Sequence, residues 1–203
     1  MRATMIAALL AVTAFQAQAE MPPSCADAGL QHEARRYEAA VAGYDACLRD
    51  IGGDAAAMAD AYHRRGRAHM KLGDLDAAMV DYGLAIAVAP GHAGAWNSKA
   101  WVLYLQGDQE AALADVEQAL LLDPRSARAF DTRAHILAAL GRTEEALASF
   151  EQDMALQSAK GIAKTQEHLR VAGYDPGPID GIYGPRTRQA LAACAADACN
   201  LWN

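Results

Sequence analysis

The sequence predicts an all-α protein, a solenoid of stacked helix pairs followed by a small helical module. Composition is the first reason. Hydrophobic residues make up 53% of the 203-residue chain and aromatic residues only 6%, and much of the apolar fraction is alanine. Alanine is the strongest helix former, so helix is expected to stack closely on helix without a thick aromatic core. The second reason is a spacing of 34 residues that recurs through the middle of the chain. The third is punctuation: Gly-Asp or Gly-Arg dipeptides and prolines fall at fixed places within that period, where helices would stop.

The repeat can be followed residue by residue. Tyr62, Gly66, His69, Ala78, Tyr82, Ala85 and Pro90 are answered 34 positions on by Trp96, Ala100, Leu103, Ala112, Val116, Ala119 and Pro124. A second step of 34 reaches Phe130, Ala134, Leu137, Ala146, Phe150, Asp153 and Ser158. Gly66, Ala100 and Ala134 are small where the first helix of a pair must approach the second, and Ala78, Ala112 and Ala146 are small on the second helix. Gly73-Asp74, Gly107-Asp108 and Gly141-Arg142 mark the turn within each pair, glycine suiting a helix C-terminus. Pro90 and Pro124 end the second helices. This register resembles the tetratricopeptide repeat family, whose unit is a helix-turn-helix of that period, over about residues 59–160. Asp153 and Ser158 depart from it, as expected of a last repeat whose outer face meets a different neighbour. A weaker helix pair is expected over residues 20–58. There Glu38 to Cys47 matches Asp76 to Ala85 at an offset of 38, with the extra residues in the loop Ile51-Gly52-Gly53-Asp54.

The resemblance implies a concave groove lined by the first helix of each pair. Its groove positions carry over to His63, Arg67 and Lys71 in the first strong unit, Asn97, Trp101 and Tyr104 in the second, and Arg128 and Asp131 in the third. Asp60, Met70, Gly94, Leu105, His135, Ala138 and Ala139 fall at similar positions. Trp101 and Tyr104 are candidate anchors in a polar surround; the alternative for Trp101 is packing against the next pair. The partner implied is an unidentified protein or peptide.

The N-terminus reads as a secretory leader over residues 1–19. Arg2 supplies the positive end, Met5 to Phe15 is an apolar run broken only by Thr13, and Ala17-Gln18-Ala19 is a small-x-small cleavage site. The run is too short to span a bilayer, so no membrane association is expected after cleavage following Ala19, and the location expected is the periplasm. Cys25, Cys47, Cys194 and Cys199 are the four cysteines. An even count in an exported chain suggests disulfides; three pairings are possible, and the grouping favours Cys25 with Cys47 and Cys194 with Cys199. No metal or cofactor is expected: there is no C-x-x-C, and His63, His69 and His135 are read as surface or packing residues without an acidic partner at ligand spacing.

After Ser158 the period stops and a module over residues 161–203 is expected. A Gln166-x-x-Leu169 helix ends at Gly173-Tyr174. Then come Gly177-Pro178-Ile179-Asp180-Gly181 and Tyr183-Gly184-Pro185-Arg186-Thr187. In that order the elements resemble the peptidoglycan-binding domain appended to cell-wall hydrolases and related envelope proteins. Each has a local reason: Pro176, Pro178 and the glycines make tight turns, and Gly184 can precede a helix with Pro185 at its first position. Candidate peptidoglycan contacts are Tyr174, Asp180, Tyr183, Gly184, Arg186, Thr187 and Arg188. The helix start and the two arginines would meet stem-peptide carboxylates, and the tyrosines would stack on sugars. Asp180, Gly181 and Gly184 are read first as scaffold. The family's helix continues into Phe-Gln, whereas Ala193-Cys194 stands here, so the module is abbreviated.

Charge divides between the parts. The formal net charge of -7 gives no case for nucleic acid. Residues 158–203 hold five basic and four acidic side chains, leaving 12 basic and 21 acidic in the repeat part once Arg2 is set aside. The sequence contains no H-E-x-x-H helix and no Ser or Cys nucleophile beside a base. The expected function is therefore a non-catalytic exported adaptor that holds peptidoglycan through its tail and a protein through its groove. The alternative is a pure protein-interaction scaffold in which the abbreviated tail is a structural cap.

Overall fold

The computed structural model describes residues 22–201, so the expected leader and its cleavage site lie outside the described residues. Ten helices follow one another, with no strand among the described residues: α1 (Pro23–Glu33), α2 (Tyr37–Asp50), α3 (Ala55–Leu72), α4 (Leu75–Val88), α5 (Ala93–Gln106), α6 (Gln109–Leu122), α7 (Ala127–Ala139), α8 (Thr143–Leu156), α9 (Ala159–Val171) and α10 (Pro185–Ala196). Helices α1 to α8 pack as four successive pairs, each also touching the next, and α10 packs on α8 and α7.

The turn within each repeat follows from its glycine, which Asp follows in the first two repeats and Arg in the third. Gly73, Gly107 and Gly141 take φ of 81°, 87° and 73°, the left-handed conformation that glycine adopts without a Cβ clash. The next amide then reaches back to the helix, as Asp74 N–H does to His69 O at 3.0 Å. Asp74 and Asp108 cap the following helices, their carboxylates accepting from Ala77 N and Ala111 N. In the third repeat Arg142 cannot cap in this way and instead pairs with Glu145 at 2.7 Å.

Close approach inside the pairs depends on the small residues. A Cβ on Gly66 would stand 2.7 Å from Tyr82 Cε1, and one on Gly43 would stand 2.8 Å from Ala28 Cβ. Ala78, Ala100, Ala112, Ala134 and Ala146 are all completely buried. The sequence reading missed a second periodic feature. Arg65 on α3 donates bidentately to the buried Asp81 on α4, with Nε–Oδ2 at 2.9 Å, and also reaches Asp45 on α2. One period later Lys99 meets Asp115 at 2.7 Å. At the third step Ser149 stands in place of the acid and donates to Glu145 O, and Arg133 Nε is buried without a hydrogen-bond partner among the described residues.

Both cysteine pairings favoured by the sequence are present. Cys25–Cys47 joins α1 to α2, with sequence separation 22, and Cys194–Cys199 closes the turn after α10, with separation 5. The Cys199 carbonyl in turn accepts from Nδ1 of the buried His135 on α7 at 3.1 Å. Replacing Cys25 and Cys47 together by alanine is expected to lower stability by about 3 kcal/mol, the loop-closure estimate for a loop of this size. Denaturant unfolding under non-reducing conditions checks this; an unchanged midpoint would contradict it.

Candidate functional site

Two regions are built from the residues singled out by sequence. The first is a cleft of about 480 Å³ on the face of α3, α5 and α7. Arg67, Met70 and Lys71 reach it from α3, Asn97, Ser98 and Trp101 from α5, and Arg128, Asp131 and Thr132 from α7. Six of the eight candidate groove residues therefore share one cavity. Their spacings explain why: Arg67 and Lys71, and Asn97 and Trp101, are four apart and lie on one helix face. Trp101 is held in place by Tyr104, ring centroids 5.1 Å apart, and by the edge of His135 at 5.9 Å. Lys164 of α9 also lines the cleft, a contribution the sequence reading did not foresee.

The other groove candidates turn elsewhere. His63 is 8% exposed and contacts Ser98 Oγ through Nε2 at 2.9 Å. Burial first, then the charges of His92, Arg67 and Arg128, push its pKa down to about 3. Tyr104 supports Trp101 from the side and packs against the main hydrophobic core. His135 is 1% exposed, a core residue and not a groove residue, and burial pushes it down to about 4. The expectation that these histidines lack acidic neighbours is corrected by the structure. Asp131 Oδ1 lies 3.6 Å from His135 Nε2, and ligand atoms of Asp60, His63 and His92 lie within 4.8 Å of one another. Asp60 Oδ2 accepts from Arg64 at 2.7 Å, and His92 Nδ1 caps α5 by accepting from Ala95 N.

The second region is the loop between α9 and α10. Gln166, 1% exposed on α9, organises it. Its Oε1 accepts from Asp180 N at 3.2 Å and Gly181 N at 3.0 Å. Its Nε2 lies 3.1 Å from each of Asp180 Oδ1, Ile182 O and Thr187 Oγ1. Thr187 donates onward to Pro176 O at 3.1 Å, and Asp180 Oδ1 accepts from Ile182 N at 2.9 Å. Gly181, with φ of 73°, sits so close to Ala159 that a Cβ would collide with its carbonyl oxygen. Gln166 belongs to the motif that the sequence shows, and its burial within a polar helix segment is visible only in three dimensions.

The seven module candidates thus have different placements. Thr187 is 1% exposed and lies inside the knot, not on the surface, and Asp180 spends its carboxylate on the same loop. Gly184 precedes α10 with Pro185 at the first position, but its φ is -107° and a Cβ there would meet nothing, so glycine is not required. Tyr183 and Arg188 both face α8: Arg188 Nε donates to Glu151 at 2.5 Å and the Tyr183 hydroxyl lies 3.5 Å from the same carboxylate. Burial and that carboxylate push the Tyr183 hydroxyl up to about 12. The half-buried Tyr174 donates to Asp197 at 3.0 Å, and Arg186 pairs with Asp175 on the exposed surface.

Fold and cleft define a helical-repeat protein with an appended compact module. Family models say which. Those for the tetratricopeptide repeat match residues 59–92, 93–126 and 127–156, and the one described as "Putative peptidoglycan binding domain" matches residues 158–194. The chain therefore carries tetratricopeptide repeats over residues 59–156 followed by a peptidoglycan-binding-type domain. Among solved structures it is similar to TTC0263, a thermophilic TPR protein of Thermus thermophilus, with TM-score 0.62 and 22% identity over 86% of this chain and 96% of that one. It is similar to the MamA protein, with TM-score 0.58 and 12% identity over 86% and 90%. It is also similar to the first TPR of Spaghetti (RPAP3) bound to the HSP90 peptide SRMEEVD, with TM-score 0.53 and 20% identity over 58% and 90%. At these identities the likeness is one of fold. No curated protein sequence matches the chain.

Two substitutions test this electrostatic and hydrogen-bond account. Gln166→Leu leaves the Asp180 and Gly181 amides without their acceptor and is expected to cost about 1–3 kcal/mol, read by denaturant unfolding; an isostable variant would contradict the knot. Asp153 on α8 is 2% exposed, and burial raises its carboxyl to about 7 despite a hydrogen bond from Gln157. Because the native state favours the protonated form, its stabilising contribution is present below the unfolded value of 3.8 and is lost as pH rises through about 7. Asp153→Asn should therefore raise the melting temperature at pH 8 and change it little at pH 4. A gain of the same size at both values would reject the assignment.

Proposed function

We propose that the protein is an exported, non-catalytic adaptor of the cell envelope that binds peptidoglycan through the C-terminal module and a protein partner through the repeat cleft. The observation that carries this is the match of residues 158–194 to a peptidoglycan-binding family model in a segment whose loop is held rigid by Gln166. Rigid turns keep exposed groups in one place, which lowers the ordering cost of binding. Arg186, exposed beside that loop, and the half-buried Tyr174 are the contacts assigned to the wall. The exposed Arg186–Asp175 pair can exchange its carboxylate for one from a stem peptide, since surface ion pairs hold weakly. The leader read over residues 1–19 supports a periplasmic location, where the wall and disulfide-forming conditions are both found.

A specific observation favours a second reading of the module, as a cap. Tyr183 and Arg188 meet Glu151 of the last repeat, and the Cys199 carbonyl meets its His135. Terminal repeats need such a cover, and capping by one face is compatible with wall binding by the other.

Co-sedimentation with purified sacculi tests the wall reading. Full-length protein is expected in the pellet at low salt, with less at high salt because exposed charges are screened. Arg186→Ala should weaken pelleting with little change in melting temperature. Protein that stays in the supernatant at low salt would leave the module as a cap only.

A further inference from the structure

Donor groups from two repeats meet at the junction between them. Ligand atoms of Asp60 and His63 on α3, and of His92 just before α5, lie within 4.8 Å of one another. His63 is buried, and Asp60 and His92 are half-buried. The two imidazole rings stand 4.9 Å apart between centroids. Gly94 leaves them room: a Cβ there would stand 3.3 Å from Cε1 of each ring. The repeat pattern does not account for these residues. One period on, Asp60, His63 and His92 become Gly94, Asn97 and Ser126, and after a second period Arg128, Asp131 and Lys160. The set is thus an addition to the first junction. Capping does not account for it either. His92 caps α5, whereas α4 and α6 are capped by Asp74 and Asp108 and α7 by Ser126. Oxygen side chains lead at that position, so a cap alone leaves the choice of histidine unexplained.

We propose that Asp60, His63 and His92 hold a divalent transition-metal ion of the zinc class, which clips the first strong repeat to the second. Donor type selects the ion: imidazole nitrogen suits zinc, copper and nickel, whereas magnesium and calcium take oxygen. The surrounding charges select in the same direction. Arg64, Arg67 and Arg128 act on His63, so they repel a cation held by charge alone and leave the advantage to one held by nitrogen lone pairs. Each donor can be freed. Arg64 bonds Oδ2 of Asp60 in an exposed pair, and such pairs hold weakly. His63 Nε2 meets Ser98 Oγ at 2.9 Å. As an N–H donor there, Nε2 leaves the lone pair on Nδ1, and the hydroxyl orients the ring as outer partners of metal-bound histidines do. His92 binds through Nε2 once its proton moves to Nδ1. The ring then leaves the Ala95 amide, which also donates to the His92 carbonyl at 3.0 Å and so keeps an acceptor. Donors around zinc stand about 3.4 Å apart, so Asp60 and His92 turn inward by roughly 1 Å. Three protein ligands leave one position of a tetrahedral ion to water. Both cysteine pairs are disulfides, so no thiolate competes for the metal.

The probes are Zn²⁺, Cu²⁺ and Mg²⁺, each added alone to the untagged, disulfide-bonded chain. Calorimetry should show one equivalent of zinc bound, and zinc should raise the melting temperature by mass action; magnesium should do neither. The informative variant is His92→Ser, which restores an oxygen cap and removes a nitrogen ligand. It should lower zinc affinity at least tenfold while the metal-free protein melts no lower than the native chain. Asp60→Asn should also weaken zinc binding. His63→Ala should abolish it, and because His63 is buried, His92→Ser carries the test if that variant does not fold. His168→Gln, on α9 outside the cluster, should bind zinc as the native chain does. Electron paramagnetic resonance of the copper form reads the ligands directly, with two imidazole nitrogens expected in the native chain and one in His92→Ser. Neither the wall reading nor the partner reading enters this inference, and pelleting with sacculi is expected to be the same with zinc and with a chelator. Three results overturn the proposal. Zinc bound as tightly by His92→Ser as by the native chain would leave His92 a cap only. An unchanged nitrogen count in its copper spectrum would place the metal elsewhere. A magnesium response equal to that of zinc would show that no nitrogen site selects the ion.

Discussion

Everything in the repeat array depends on how closely two helices can lie within a pair. At Gly66 the approach leaves no room for a methyl group, because the Tyr82 ring occupies the space. Alanine fills the equivalent positions in the next two repeats and is fully buried in both. Close packing at these points sets the separation of α3 from α4 and hence the surface that each pair offers its neighbour. Interiors packed at this density transmit changes and do not absorb them, so the shape of the concave face is fixed by residues that never touch it. Larger side chains at the same places would push the pairs apart and open the cleft between α3, α5 and α7.

Periodicity made most of this legible. A position that recurs at 34 residues with only small side chains has a steric meaning even before helices are drawn, and the Gly-Asp turns were readable for the same reason. The same period also contained a signal that went unread: Arg65 and Lys99, with Asp81 and Asp115, repeat in register and form the cross-helix pairs of the first two units. Burial hides charged residues from a pattern search built on apolar and small positions. In the third repeat the series ends with Ser149 opposite Arg133, a local break in the pattern that coincides with the arrival of a different neighbour.

The site was legible only as far as helix geometry reaches. Residues four apart on α3 and on α5 had to share a face, and they share the cleft. His63, Tyr104 and His135 are on the same helices but lie toward a neighbouring helix, a difference of less than one turn that spacing does not resolve. Lys164 depends on how α9 docks, and nothing local to its sequence encodes that. In the module the motif identified the right loop and misjudged individual roles: Thr187 and Asp180 hold the loop together, and Gln166, read as part of a helix, is its centre.

The outer face of the last repeat carries a consequence for the history of such arrays. Repeat proteins lengthen by duplication of a unit whose two faces are interchangeable with its neighbours'. The first two strong units have that property, since the same small and charged residues recur in each. The third does not: Glu151 accepts from Arg188 and faces the Tyr183 hydroxyl, and His135 donates to the carbonyl of Cys199. A copy of this unit inserted elsewhere would present those groups to a helix pair that has nothing to give them. Growth by duplication is thus open in the interior and closed at this end, which ties the number of repeats behind the module to the interface that the module makes.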